Sequence, residues 1–172
     1  MKTINISLNT NSIAKAIAEL EAEKSNIDTK TRLAVQRLGE IGMGIVESEY
    51  AAAVYPGNND IRVIRDDKGD TFTIIASGSS LPFIEFGAGI RYPEGDLSAE
   101  LGALPHGQYG LGQGANENGW LVYKGSPGNG DVIKLRGGAY RTWGNAPANA
   151  FPRAINEIKL QADHVVKEVF RG

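Results

Sequence analysis

The sequence predicts an α+β fold, in which a small antiparallel sheet packs against a long N-terminal helical region and a C-terminal helix. Three observations predict it: a helical apolar stripe near the N-terminus, short strand-like segments in the middle, and a second helical stripe at the C-terminus. Neither an internal repeat nor a domain boundary is visible. Residues 1–172 are therefore expected to form a single domain, with a glycine-rich loop insertion at about 91–119.

The N-terminal region predicts a short strand followed by helix. Residues 3–8 alternate between polar and apolar side chains, which is typical of a half-buried strand. Ser12 is a plausible N-cap for the helical region that follows. The stripe then weakens at 24–31, which predicts either two helices that meet near Asn26 or one long helix with a soft point there. Its apolar members, spaced by three, four and seven, are Ile13, Ile17, Leu20, Ile27, Ala34, Leu38, Ile41 and Ile45.

The middle of the chain predicts strands and loops. Residues 61–65 and 71–76 are rich in β-branched side chains and are joined by a charged turn, which predicts a hairpin. Two further short strands are expected at 120–123 and 132–135, on either side of a glycine-rich turn. The stretch at 91–119 has no sustained period of either kind, and loops of that length tend to be functional or disordered.

The C-terminal helix has the clearest signal in the sequence. Its apolar residues step by 4, 3, 4, 3 and 4, which is one continuous helical stripe. Asn149 can cap its start, and Pro152 falls in the first turn, where a missing N–H costs little. The stripe consists of Phe151, Ile155, Ile158, Ala162, Val165 and Val169.

Composition excludes several classes of protein. The chain has 172 residues, is 41% hydrophobic and 22% charged, and contains no Cys, which removes disulfides, thiol nucleophiles and Cys-based metal sites. His106 and His164 are the only imidazoles, too few for a site made of His alone. A net charge of -2 argues against sequence-specific nucleic-acid binding. Because no run of about 18 apolar residues occurs, we expect no membrane span and a soluble product made in the cytoplasm.

Tests for enzymatic chemistry are negative. Residues 110–115 match the letters of a dinucleotide-binding fingerprint but lack the strand before and the helix after that the motif needs. His106 has no neighbour that would orient it as a general base. Glu85 lies between Ile84 and Phe86, so it either faces solvent or accepts hydrogen bonds from backbone or an Arg, since an unpaired buried carboxylate is costly. No catalytic, cofactor-binding or metal-binding residue is predicted.

Two segments of the chain, 81–90 and 143–158, resemble the tail-completion or head–tail joining proteins of long-tailed bacteriophages. The first contains an aromatic-Ile/Val-Glu-Phe-Gly-Thr-like motif, with Ala88 where Thr is more usual. The second is similar to a Pro-Ala-x-Pro-Phe-like opening of a C-terminal helix, with the order Ala-Phe-Pro here. The family-motif residues are Phe83, Glu85, Phe86, Gly87, Pro147, Phe151, Pro152 and Ala154.

The resemblance implies a structural protein of the virion rather than an enzyme. A member of this family would complete the tail end or neck and join head to tail through a ring formed by head-to-tail self-association. Its partners would be the tail-tube protein and a head-side connector or stopper protein. It would be assembled in the host cytoplasm, carry no cofactor, and end up in the tail or neck of the particle.

The glycine-rich loop is the leading candidate for contact with those partners. Because glycine loses much conformational entropy on ordering, we expect the loop to be mobile in the free subunit and to become ordered only on assembly. The turn at 125–130 is a second candidate. Two alternatives stay open: a small hydrolase that uses Glu85 with His106, and a monomeric binding module. The candidate interface residues are Tyr92, His106, Tyr109, Leu111 and Trp143.

Overall fold

The computed structural model describes residues 10–87, 121–124, 128–130, 132–142 and 144–171, and these form an α+β fold. The strand expected at 3–8 and the loop at 91–119 lie outside the described residues. The elements are α1 (Thr10–Ala52), β1 (Arg62–Lys68), β2 (Thr71–Ser77), α2 (Leu81–Phe86), β3 (Leu121–Lys124), β4 (Ile133–Lys134), β5 (Ala139–Thr142) and α3 (Ala150–Arg171).

Helix α1 is continuous over 43 residues, about 65 Å, so one long helix forms here rather than two helices that meet near Asn26. Asn26 lies within the helix. Nearby, the Thr29 hydroxyl donates to the backbone carbonyl of Ser25, one turn earlier in the same helix, at 2.9 Å. Threonine hydroxyls often bond to backbone groups in ways that disfavour a helix, but this bond is compatible with it. The prediction of Ser12 as the N-cap is wrong, because the helix already includes Thr10.

Helix α3 packs antiparallel against the second half of α1 and ends before it reaches the first half. Close to the start of α3, Arg153 pairs with Glu49 at 3.1 Å. Close to its end, Lys30 donates to the Phe170 carbonyl at 3.4 Å. Between these points the two predicted stripes meet in an apolar cluster of Ala34, Leu38, Ile41, Val165 and Val169.

The predicted hairpin is present as β1 and β2, each extended slightly beyond the predicted bounds. The strands are antiparallel, from Arg62 opposite Ser77 to Lys68 opposite Thr71. Gly69 begins the two-residue turn with a φ of +66°, a conformation that glycine adopts without strain. The hairpin lies across α1, and the Phe72 ring fills the space that a side chain at position 39 of α1 would take.

A second small sheet has the strand order β3-β5-β4, so the described residues form two small antiparallel sheets where the sequence predicts one. The sequence predicts β3 and β4 to within a residue or two but misses β5, the central strand. Strand β5 is only four residues long and directly follows Gly137 and Gly138, whose φ values are +87° and +79°. Two glycines favour a turn, and they obscure the strand signal beside them.

The main hydrophobic core lies where the end of α1, helix α2 and the start of α3 meet. Val46 and Ile84 are fully buried there, and Ala150 and Ala154 bring α3 close because they are small. The inward side chains of β1 and β2 cover one side of this core. The two segments that carry the family resemblance therefore contribute to one packed unit.

Candidate functional site

Asp60 fixes the start of α2. Its carboxylate accepts hydrogen bonds from the backbone N–H groups of Ser79 and Ser80, both at 2.9 Å. The two serine hydroxyls donate to the same carboxylate at 2.6 and 2.5 Å. Four donors favour the charged form and hold the pKa of the Asp60 carboxyl well below its usual value. Asp60 thus clamps the turn at 77–80 from which α2 starts.

The last carbonyls of α2 bind the segment that leads into α3. The Phe83 carbonyl accepts from the Asn145 side-chain amide at 2.9 Å. The Ile84 carbonyl accepts from the Ala148 N–H at 2.8 Å, and the Glu85 carbonyl accepts from the Asn149 N–H at 3.2 Å. Helix-terminal carbonyls have no partner within their own helix, so residues 145–149 supply it. The two motif segments are joined directly by these bonds.

The Glu85 side chain caps α3. It is 5% exposed, and its two carboxylate oxygens accept from the N–H groups of Ala150, at 2.9 Å, and Phe151, at 3.2 Å. A negative charge also complements the positive end of the helix dipole at this position. Of the two options that the sequence left open, acceptance from backbone is therefore correct.

The predicted N-cap role of the Asn149 side chain is wrong. Its side-chain oxygen is buried and has no hydrogen-bond partner among the described residues, because Glu85 takes the helix N–H groups. Asn149 contributes its backbone instead. It has a φ of +52°, and its carbonyl accepts from the Arg153 N–H at 3.0 Å, which starts the helix. Pro152 lies in the first turn, as predicted.

Tyr50, near the end of α1, lies beside the capping carboxylate. Burial first, and then the negative charge of Glu85, raise the pKa of the Tyr50 hydroxyl far above its usual value, so it stays protonated at neutral pH. Its ring meets the Phe151 ring edge-on, with centroids 6.4 Å apart. No pattern in the sequence indicates this pairing, because Tyr50 and Glu85 lie on different helices.

Gly87 ends α2 in a conformation that explains its place in the motif. Its φ is +75°, and a Cβ atom there would lie 3.0 Å from both the ring nitrogen and Cδ of Pro147. Both the dihedral angle and the close approach favour glycine. Gly87 and Pro147, one from each motif, thus pack directly against each other.

An apolar groove of about 270 Å³ opens beside this junction. Its surface is almost entirely hydrocarbon, and the one carboxylate in its wall, Glu85, is held by backbone N–H groups. Such a groove suits apolar side chains better than a polar substrate. It is lined by Tyr50, Leu81, Pro82, Glu85, Phe86, Phe151, Pro152 and Ile155.

The structure brings together all eight family-motif residues, either at the α2–α3 junction or in its core. It does not place the five candidate interface residues: Tyr92, His106, Tyr109, Leu111 and Trp143 lie outside the described residues. His164 is exposed on α3, 3.5 Å from Glu168, off the apolar stripe. In the turn at 125–130, the described residues Gly128 and Gly130 donate their N–H groups to the carbonyls of Pro56 and Tyr55.

The described residues contain no group of three or more acidic or His side chains that could hold a metal ion. None of the described helices combines the length and apolar character that a bilayer crossing requires. No protein-family model, curated protein or solved structure matches the chain.

Proposed function

We propose that this chain is a structural virion protein of a tailed phage or prophage. It completes the tail end or neck and joins head to tail through a ring-like oligomer. The observation that supports this is the interlocking of the two motif segments, which are about 60 residues apart in sequence. Three backbone carbonyls and the carboxylate of Glu85 on one segment accept hydrogen bonds from the other. Residues that define such a family would be expected to form its framework.

The role of Glu85 also favours a structural protein over an enzyme. A general acid or base needs an oxygen atom that can reach a substrate. Both Glu85 oxygens accept from the start of α3, and the neighbouring Tyr50 ring packs edge-on against Phe151. We therefore assign these groups to holding α1, α2 and α3 together. The proposed partners are the tail-tube protein and a head-side connector or stopper protein, met in the host cytoplasm during assembly.

The test is deletion of the gene from a phage or prophage that encodes it. Induced lysates are expected to contain filled heads and separate tails in electron micrographs, with infectivity restored by the wild-type chain from a plasmid. The chain should also be detected by mass spectrometry in purified virions. Infectious particles that form without it, or virions that lack it, would contradict the proposal.

Purified variants of the protein separate the two alternatives from the proposed function. A hydrolase that uses Glu85 and His106 would lose turnover in Glu85→Gln and His106→Ala without a change in Tm. The proposed structural role instead predicts that Glu85→Gln lowers Tm and that His106→Ala leaves it unchanged. A binding module would remain monomeric at high protein concentration, whereas a ring-forming protein would not.

A further inference from the structure

The first half of α1 extends beyond the helix that covers the second half. Helix α3 ends beside Lys30. Residues 10–29 of α1, here called the arm, therefore extend about 30 Å beyond the end of α3. The arm continues the apolar stripe that α3 covers further along. Its four large apolar side chains, which are 43 to 55% exposed, are Ile13, Ile17, Leu20 and Ile27.

The apolar groove lies at the opposite end of the same helix. Tyr50, which lines the groove, follows Ile17 by 33 residues of unbroken helix, a distance of about 50 Å. An arm therefore cannot reach the groove of its own chain. The described residues therefore present two exposed apolar surfaces at opposite ends of α1, and neither can cover the other within one molecule.

We propose that the arm of one copy docks in the apolar groove of the next copy. The interface is heterologous, since two different surfaces meet, and repetition of it produces a ring if the rotation closes. This inference rests on the self-association that is part of the proposed function, and it names the two surfaces responsible.

The size of the groove fits this occupant. A cavity of about 150 Å³ accommodates benzene, so the groove, at about 270 Å³, has room for two aliphatic side chains. Ile17 and Leu20 are three residues apart and lie on one helical face, so they can enter the groove together. Burying a pair of side chains of this size is enough to change an association constant by tenfold or more.

The charges fit as well. The arm carries four carboxylates and two lysines, a net charge of -2. Glu19 and Glu21 flank Leu20. On the groove side, Lys159 lies one helical turn after Ile155 and forms no ion pair within the described part of the chain. An acidic arm beside this lysine favours the docked pair.

Pairing of one arm with another arm would account for only one of the two exposed apolar surfaces. It would leave the groove unfilled, and an in-register parallel pair would set Lys24 against Lys24 of the second copy in the middle of the stripe. Docking of arm into groove covers both surfaces with one contact. It also gives each copy two neighbours.

The test uses two full-length variants. The arm variant is Ile17→Gln with Leu20→Gln, and the groove variant is Ile155→Glu, which adds a negative charge opposite the acidic arm. Matched controls are Ala18→Gln, exposed on the arm, and Leu160→Gln, which is 76% exposed on α3 away from the groove. Circular dichroism and Tm establish that each variant is folded. The readout is mass by sedimentation or mass photometry over a range of concentrations.

The wild-type chain and both controls are expected to form species larger than a dimer. Each variant alone should remain monomeric, with association weakened about tenfold or more. A mixture of the two variants should stop at dimers, because it offers one intact arm and one intact groove per pair. A groove variant that still dimerises by itself would mean that arms pair with arms, and the proposal would be wrong.

Two outcomes separate this inference from the proposed function. A wild-type chain that is monomeric at every concentration, yet joins heads to tails, would overturn the docking and the ring-like oligomer but leave the head–tail joining role in place. A chain that associates through arm and groove but is absent from virions would support the docking and contradict the proposed function. A groove variant that loses stability but keeps full association would assign the groove to a segment of its own chain, and would also overturn the docking.

Discussion

At the scale of single residues, two buried or clamped carboxylates explain the geometry of the site. Glu85 holds the start of α3, and Asp60 holds the start of α2. Each accepts backbone N–H groups that no helical carbonyl could satisfy. The sequence placed Glu85 among apolar neighbours and so predicted that it needs partners, but it could not predict which backbone atoms supply them. Asp60 gave no signal of this kind, because aspartate near a turn is common.

Substituting Glu85 tests the cap. In Glu85→Gln the shape is kept, but the charge is lost and one of the two accepting oxygens becomes an NH₂ group that faces a helix N–H. We expect a loss of about 2–3 kcal/mol in the free energy of unfolding, measured by urea titration. The exposed Glu47→Gln on α1 is the matched control and should stay within about 0.5 kcal/mol of wild type. An equally small change in Glu85→Gln would sink the capping role.

The Asp60 clamp predicts a pH dependence. Its carboxyl pKa is lowered in the folded chain from an ordinary value of 3.8, so the stabilisation is fully present above about pH 5. It is lost as the pH falls below 3.8 towards the folded-state pKa. Asp60→Asn should therefore be less stable than wild type at pH 7, and the difference should shrink as urea titrations are repeated towards pH 2. The exposed Asp67→Asn should show no such narrowing. A constant difference across that range would contradict the clamp.

At the scale of elements, hydrophobic periodicity predicted both long helices because their stripes are long and regular. The same periodicity could not show that α3 covers only half of α1, since Leu20 and Leu38 occupy equivalent places in one pattern. Strand β5 was missed for a different reason, because four residues beside two glycines carry too little pattern. The joining of α2 to residues 145–149 depends on backbone bonds, which no side-chain pattern encodes.

Helix α1 offers a paired test of how the hairpin packs. At Gly39 an added Cβ would overlap the Phe72 ring, whereas at Gly44 it would meet no atom within 4 Å. Gly44→Ala should raise the free energy of unfolding by about 0.5–1 kcal/mol, because alanine is the better helix former. Gly39→Ala should lower it by about 1–2 kcal/mol despite that gain, since the ring must move. Equal effects of the two substitutions in urea titration would show that β2 does not lie against position 39.

At the scale of the whole molecule, one apolar stripe on α1 is divided between two tasks. Its second half packs against α3 and belongs to the folding of the chain. Its first half lies beyond the end of α3, and the large apolar side chains there are about half exposed. The sequence presents this stripe as a single feature. The end of α3 near Lys30 separates the half that packs against α3 from the half that we propose docks on a second copy.

This division can be measured with substitutions from the same stripe. Leu38→Gln removes an apolar side chain from the α1–α3 cluster and should lower the free energy of unfolding by about 2 kcal/mol or more. Ile17→Gln with Leu20→Gln changes side chains that are 51% and 55% exposed, so its unfolding should stay within about 0.5 kcal/mol of wild type. Self-association should show the opposite pattern. It should be lost in the arm variant, and it should be retained by the folded fraction of Leu38→Gln. If the arm variant instead unfolds more than about 1 kcal/mol more easily, the arm packs within its own chain, and the stripe serves folding along its whole length.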